Sequence, residues 1–545
     1  MTSDMDDVDT DRLNNTRRQI ESNDPELDKL TIARFGRNNY HPPDEDWARD
    51  GRSIGKNTHI KELGFGSDLS DYVFRDNLEA FCRGLEGNIS IQRLQVYCCD
   101  FFHGEIFNML CPFFEQNYTL RCLSIGGYGF ESEPNSVRLL IALLFRFNNL
   151  REFECRGNIQ VCDNEKELLI RALAGHSRLT KVDLTGNKVG VRALASLPAL
   201  LNNPNSSLAD LILAQCSLDD EGALVLASVV GSNGTLRKLD LGSNGDISST
   251  GWRALFTQLQ NPHSSLEHLD LWENSIDNAA VNLLATALAN GSINLEVLTL
   301  GENHYITTEG WRSLSTALQN PRCMLQELHL YNNNFNDDDV AYLAISLGFN
   351  GILKHLDLAY NMGVSSSGWR AFLAFLQNPN SALEELDLGG NLINDDVLAS
   401  FANSLTHNNK LKELFIDDRN ITSTGWDALS NVLCNKSSIE ETFNSNHTLQ
   451  TVFDPEYTDE SDLPSDLRTL LQLNRGNNKM EAARRKILQV HFSGSFNMQP
   501  FIDMDLTVLP HAVAWMARDE HGSSLLYQFV RNTTLFVDVD VGGEV

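Results

Sequence analysis

The pattern Leu-x-x-Leu-x-Leu-x-x-Asn returns about every 29 residues from Leu179 onward, and no other feature of the chain limits its fold so tightly. Clear copies begin at Leu236, Leu266, Leu295, Leu325, Leu353 and Leu383, and close on Asn244, Asn274, Asn303, Asn333, Asn361 and Asn391. A period of this length marks a supersecondary unit, here a short strand followed by a helix, that cannot bury its apolar face alone and must stack on copies of itself. Strand side chains alternate, so positions 4 and 6 of each copy point into the core and positions 3, 5 and 7 point away from it. The Asn at position 9 has both donors and an acceptor for backbone groups left open where the strand turns toward the helix.

With the register known, weaker copies appear at Ile60, Ile91, Leu120, Leu150 and Leu208, and downstream at Leu411. Cys99 and Cys216 stand where Asn usually does, a replacement the consensus allows. Ile439 is expected to open one last degraded copy, for about 14 repeats in all. These leucines and asparagines build the fold and carry no chemistry.

A second order overlies the first. Alternate repeats open their helical half with Gly251-Trp252-Arg253, Gly310-Trp311-Arg312, Gly368-Trp369-Arg370 and the altered Gly425-Trp426-Asp427. The first three close it with Gln260-Asn261-Pro262, Gln319-Asn320-Pro321 and Gln377-Asn378-Pro379, so the duplicated unit is a pair of repeats. The tryptophans take the leucine position at the start of the helix, which makes them core rather than ligand contacts. Over about residues 58–455 this pattern resembles the ribonuclease-inhibitor class of leucine-rich repeats, the class of immune-receptor sensor regions and Ran GTPase-activating proteins. The resemblance implies an α/β solenoid: a right-handed horseshoe with a parallel concave sheet and helices on the convex face. The sequence has no Gly-x-x-x-x-Gly-Lys-Ser/Thr phosphate loop, is not cysteine-rich like the mammalian ribonuclease inhibitor, and does not end in the acidic run of Ran activators. No functional residue is therefore carried over.

The formal net charge of −30 argues against nucleic acid or an anionic membrane as partner, since both call for a basic footprint. The acidic opening (Asp4, Asp6, Asp7, Asp9, Asp11) lacks the apolar core of a secretory signal, and the cysteines show no C-x-x-C pair. Cytoplasm, or nucleus, is the expected compartment. Residues 1–55 read as an acidic, mostly disordered segment with one short helix around Leu13 to Glu21. Residues 56–455 read as the array, and 456–545 as an acidic linker and a helical C-terminal cap.

The expected binding surface is the concave face between the strands beginning at Leu266 and Leu353. It gathers His268, Asp270, Trp272, Glu273, Glu302, His329, Tyr331, His355, Asp357 and Tyr360. Aromatic anchors ringed by charge are what interface hot spots look like, and the acids favour a protein partner with a basic surface. The plainer reading of the same acids is solvated strand residues in an acidic protein. His268 with Asp270, and His355 with Asp357, would begin a metal or general-base site, but no third ligand accompanies either pair. No catalytic residue, metal or cofactor is expected. The function expected is a non-enzymatic protein-binding scaffold. Two other readings stay open: a GTPase-activating regulator, and a targeting arm carrying a C-terminal effector domain. Oligomeric state is left open.

Overall fold

The structure, a computed structural model, describes residues 14–491 except 34–38, 44–45, 67–74, 98–102, 127–133, 158–161, 204, 232, 262, 380, 454–462 and 477. The chain divides into two compact units, Met1–Tyr305 and Ile306–Val545.

In the first unit the strands are β1 (Lys29–Ile32), β2 (Asn39–Tyr40), β3 (Glu62–Phe65), β4 (Arg93–Tyr97), β5 (Cys122–Gly126) and β6 (Glu152–Arg156). They continue as β7 (Lys181–Asp183), β8 (Asp210–Ile212), β9 (Lys238–Asp240), β10 (His268–Asp270) and β11 (Val297–Thr299). Their order is β11-β10-β9-β8-β7-β6-β5-β4-β3-β1-β2, and neighbouring strands run parallel. The second unit holds β12 (Glu327–His329), β13 (His355–Asp357), β14 (Glu385–Asp387) and β15 (Glu413–Phe415), also parallel and in sequence order. Each unit is thus an open parallel sheet, and from β2 onward successive strands within a unit are joined through helical segments. The middle residue of each three-residue strand is buried between two half-buried ones from β8 onward, which is the alternation that the motif demands.

The position-9 asparagines form a buried ladder. Asn361, fully buried, donates from Nδ2 to the carbonyls of Leu330 (3.0 Å), Leu358 (3.0 Å) and Ala359 (3.3 Å), and its Oδ1 accepts from the N–H of Asn333 (2.9 Å) and Phe335 (3.3 Å). Asn244 repeats the scheme, donating to Leu213, Leu241 and Gly242 and accepting from Cys216 and Leu218. Each such side chain ties its own turn to the preceding repeat.

A second ladder runs through the helix-to-strand turns, three residues before the first leucine position. Asn88 donates to the carbonyls of Ile54 and Asn57 while its Oδ1 accepts from Ser90 and Ile91. Asn117, Asn233, Asn350, Asn408 and Asn446 occupy the same place and are all buried.

The helix-opening tryptophans are core: Trp252 and Trp369 are fully buried, and Trp311 meets Phe335 edge-on at 4.7 Å. The glycine before them is dictated by the neighbouring repeat. A Cβ on Gly368 would lie 2.3 Å from Asp337 Oδ1, and one on Gly425 2.6 Å from Asp395 Oδ1. Those aspartates bind the N-cap residues Ser365 and Thr422 of the next helix, so the helix starts are strapped together.

Two segments differ from expectation. Residues 1–55, read from sequence as mostly disordered apart from one short helix around Leu13 to Glu21, carry that helix at 14–22 and, beyond it, strands β1 and β2 and the helix Trp47–Lys56 among the described residues. β1 lies in register beside β3, with Leu30 opposite Leu63 and Ile32 opposite Phe65. The buried Asp50 accepts from Arg17 (3.0 Å) and from the Tyr40 hydroxyl (2.5 Å), pinning helix, strand and helix together. Acidic composition hid this because the acids serve internal cations. Second, Ile439 opens a helix, Ile439–Phe443, rather than a repeat. Ser438 caps that helix, and the strand position passes to Leu449, fixed by Asn446 and followed by a Glu413–Thr451 bridge. Residues 1–13 and 492–545, with the apolar runs expected at 510–516 and 525–530, lie outside the described residues.

Replacing Asn361 by Ala strands buried carbonyls and N–H groups on two repeats. It should cost about 3 kcal/mol or more, at roughly 1–3 kcal/mol per buried group left unpaired, read as a lowered denaturation midpoint.

Candidate functional site

The side of each sheet that carries positions 3, 5 and 7 is where a site can form, because positions 4 and 6 are consumed by the core. The ten residues singled out from sequence divide equally between the units: His268, Asp270, Trp272, Glu273 and Glu302 in the first, His329, Tyr331, His355, Asp357 and Tyr360 in the second.

Position 5 has a structural duty that sequence reading missed. Asp183, Asp240, Asp270, Asp357 and Asp387 each accept, through Oδ1, the N–H two residues ahead, at 2.9, 3.0, 3.2, 2.9 and 2.7 Å. This Asx turn bends the chain off the strand and leaves the second carboxylate oxygen for another partner, Arg156 at Asp183 and His329 at Asp357. Position 8 has another. Gln215, Ser243, Glu273, Glu302, Asn332 and Tyr360 have φ between 51° and 58°, and Gly157, Gly186 and Gly390 fill the same place. The left-handed conformation there is a property of the repeat, paid by whichever residue stands in it. The glycines and the asparagine in that column were the readable signal.

The aromatic residues are partly spoken for. Trp272 is half-buried and its indole covers Gly242 of the preceding repeat, where a Cβ would come within 2.0 Å of Nε1. Tyr360 lies over Gly390, 2.5 Å from where a Cβ would be, yet stays 54% exposed. Tyr331 is half-buried.

The two faces differ in how their carboxylates are neutralised. In the first unit Arg93 bridges Glu62 (3.1 Å) and Glu152 (2.7 Å), Lys181 holds Glu154 (2.6 Å), and Arg156 holds Asp183 (2.7 Å). Tyr97, Ser124 and Glu154 add a hydrogen-bonded chain across three strands. Burial pushes Glu154 up, but the bonds from Lys181 and Ser124 outweigh it and leave the carboxyl below its usual range. None of these residues was singled out from sequence.

On β12–β15 positions 3, 5 and 7 carry Glu327, Asp357, Glu385, Asp387, Glu413 and Asp417 and neither Lys nor Arg. Asp357 stands directly opposite Asp387, and Glu385 opposite Glu413. Partial burial first, and the charge of Glu385 next, raise Glu413 above the usual carboxylate range. The partners on the face itself are histidines: His355 Nδ1 lies 2.7 Å from Glu385 Oε2 and His329 Nδ1 3.5 Å from Asp357 Oδ2. Arg419, one turn beyond, pairs with Asp417. No group of three or more His, Cys, Asp or Glu that could hold a metal occurs among the described residues. No helix among them is long and apolar enough to cross a membrane.

The model of the family described as Leucine Rich repeat matches residues 232–256, a stretch that includes β9 and its asparagine. The chain is a leucine-rich-repeat protein. It is 31% identical over 263 residues to NACHT, LRR and PYD domains-containing protein 14 of Mus musculus, a match covering 48% of this chain and 26% of that protein. It is 27% identical over 386 residues to NACHT, LRR and PYD domains-containing protein 5 of Homo sapiens, covering 70% and 31%. This leucine-rich-repeat chain thus spans about a quarter to a third of the length of these relatives. Among solved structures, one titled as the Rad7 and Elc1 complex in yeast aligns with a TM-score of 0.41 at 15% identity, covering 78% of this chain and 93% of that one.

Two substitutions separate scaffold from surface. Asp357→Ala should cost about 1 kcal/mol through the lost turn bond, whereas Asp357→Asn keeps the acceptor, removes the repulsion from Asp387 and leaves urea unfolding unchanged or slightly later. At position 8, Glu273→Val should destabilise by about 1–2 kcal/mol because a β-branched residue resists positive φ, while Glu273→Gly stays near wild type in the same assay.

Proposed function

We propose that this chain is a non-enzymatic recognition scaffold of the cytoplasm that binds a protein partner presenting a basic surface to the strand face of β12–β15. The observation that carries the reading is the contrast in charge compensation. Facing acids occur in both units, Glu154 opposite Asp183 and Asp240 opposite Asp270 in the first, Asp357 opposite Asp387 and Glu385 opposite Glu413 in the second. On β3–β7, however, the same columns supply Arg93, Lys181 and Arg156 to pair with the acids, whereas positions 3, 5 and 7 of β12–β15 carry neither Lys nor Arg. Like charges facing each other across a ladder cost a few tenths of a kcal/mol per pair, and a partner's cations relieve that cost on docking. His329, Tyr331, His355, Asp357 and Tyr360 lie on or beside this face, with the half-exposed Tyr360 ring as its apolar anchor. His268, Asp270, Trp272, Glu273 and Glu302 form the corresponding face of the first unit and are proposed as a contact surface in their own right. The described cysteines are free thiols, which fits a reducing compartment.

The test uses neutral isosteres, because they preserve the hydrogen bonds of the fold. Proteins captured from a lysate of the native cell by the wild type should be lost, by tenfold or more, from the Glu385→Gln/Asp387→Asn/Glu413→Gln protein. Their retention by the wild type should also fall as salt is raised. Capture of the same set by both proteins would sink the reading.

A further inference from the structure

Several repeats of the described array, including the last two before the C-terminal helices, are closed at the helix-to-strand turn by an asparagine that the next repeat supplies (Asn88, Asn117, Asn233, Asn350, Asn408 and Asn446), and beyond Asn446 a substitute takes over. Asn446 shows the usual scheme: its Nδ2 donates to Leu405, the last residue of the helix Asp395–Leu405 in the preceding repeat, and to Asn408, the preceding ladder residue. One repeat later the corresponding carbonyls are those of Leu433, the last residue of the helix Ser423–Leu433, and of Asn446 itself. Both are taken by one amine. Lys486 Nζ donates to Leu433 O (2.6 Å) and to Asn446 O (3.0 Å). Asn474 at the end of the helix Ser465–Asn474 donates to Asn446 O and to Leu449 O. The work of a single ladder asparagine is thus shared between Asn474 and a lysine on the helix Lys479–His491.

We propose that Lys486 terminates the array: its amine stands in for the asparagine of a further repeat and fastens the helix Lys479–His491 over the last one as a pH-responsive latch. The amine is fully buried and has no carboxylate among its hydrogen-bond partners. The charged and titratable groups around it are Cys434 and Lys436 from the segment after Ser423–Leu433, and His447 beside the ladder asparagine. Asp466 lies across a cleft on the helix Ser465–Asn474, and Lys479 is on its own helix. A helix C-terminus favours a cation, which suits Leu433 as a partner, but burial acts against the charge. Burial pushes Lys486 down to about 7, against an ordinary value of 10.5. Between those two values an opened cap binds a proton that the closed cap does not, so closure strengthens as pH rises through the window and gains nothing below it.

Cys434, buried beside the latch, reports its opening, and Cys323, equally buried in the same unit, serves as control. Alkylation of the two thiols in the full chain is followed by peptide mass spectrometry, taking their ratio to cancel the common rise in thiolate with pH. From pH about 7 to about 8.5 the Cys434/Cys323 rate ratio of the wild type should fall about tenfold. In Lys486→Gln, which keeps an amide donor and cannot titrate, it should change less than about twofold, which removes contributions from Cys434, His447 and Lys479. A flat wild-type ratio overturns the proposal, whether or not the variant folds. An equal slope in both proteins overturns it as well, by giving the linkage to another group.

Discussion

The structure rests on one recurring transaction: a side-chain amide buried between repeats, satisfying backbone groups on both sides. A three-residue strand supplies few ladder bonds of its own, and the turns at either end leave carbonyls and N–H groups that cannot reach water. Leaving one of these unpaired costs about 1–3 kcal/mol, so a stack of short strands needs a device that pairs them at every step. Asn244 and Asn361 do this at the strand-to-helix turn, and Asn88 and Asn446 at the helix-to-strand turn. Leucine burial gives the stack its cohesion, while the asparagines fix its spacing, since an amide must contact two repeats at once.

That division explains what was legible in the sequence. The position-9 asparagine follows three leucines at fixed spacing and announces itself. The second ladder sits three residues before the first leucine, in turns whose other residues vary, so Asn233 and Asn350 look like ordinary turn residues. The N-terminal strand β1 escaped because Leu30 and Ile32 stand in a polar, acidic stretch without a readable asparagine, and only Arg17, Tyr40 and Asp50 in three dimensions show why it is ordered. Ile439 misled for the opposite reason. It kept the period, but the inserted helix Ile439–Phe443 stretches the last spacing, and the true strand position at Leu449 falls out of step.

The candidate face was legible only in part. Columns of residues follow from the register alone, and His355, Asp357 and Tyr360 were found in that way. Compensation was not legible, because it depends on which long side chains reach across strands. Arg93 passes over Cys122 of β5 to reach Glu152 of β6, a contact between residues two repeats apart. Nor could composition show that the position-5 aspartates spend one oxygen on the backbone, which means that an Asp in this column is evidence for a turn before it is evidence for a partner.

The same reasoning sharpens what the strand face of β12–β15 offers. The Asx turns of Asp357 and Asp387 have already ordered their side chains, so less rotamer entropy is left to lose on binding. Glu385 is similarly held by His355, and Tyr360 by Gly390. A surface whose columns at positions 3, 5 and 7 carry no Lys or Arg but whose side chains are already oriented is poised differently from β6 and β7, where Glu154 and Asp183 are oriented by cations of the same columns. A docking cation at Glu154 or Asp183 would have to displace Lys181 or Arg156 before it gained anything. On β12–β15, Asp357 and Glu385 are partnered by histidines, and Asp417 by Arg419 from just beyond the strand. The difference between β3–β7 and β12–β15 is therefore one of competition rather than of acidity, and that difference is the ground for assigning the proposed basic partner to the second.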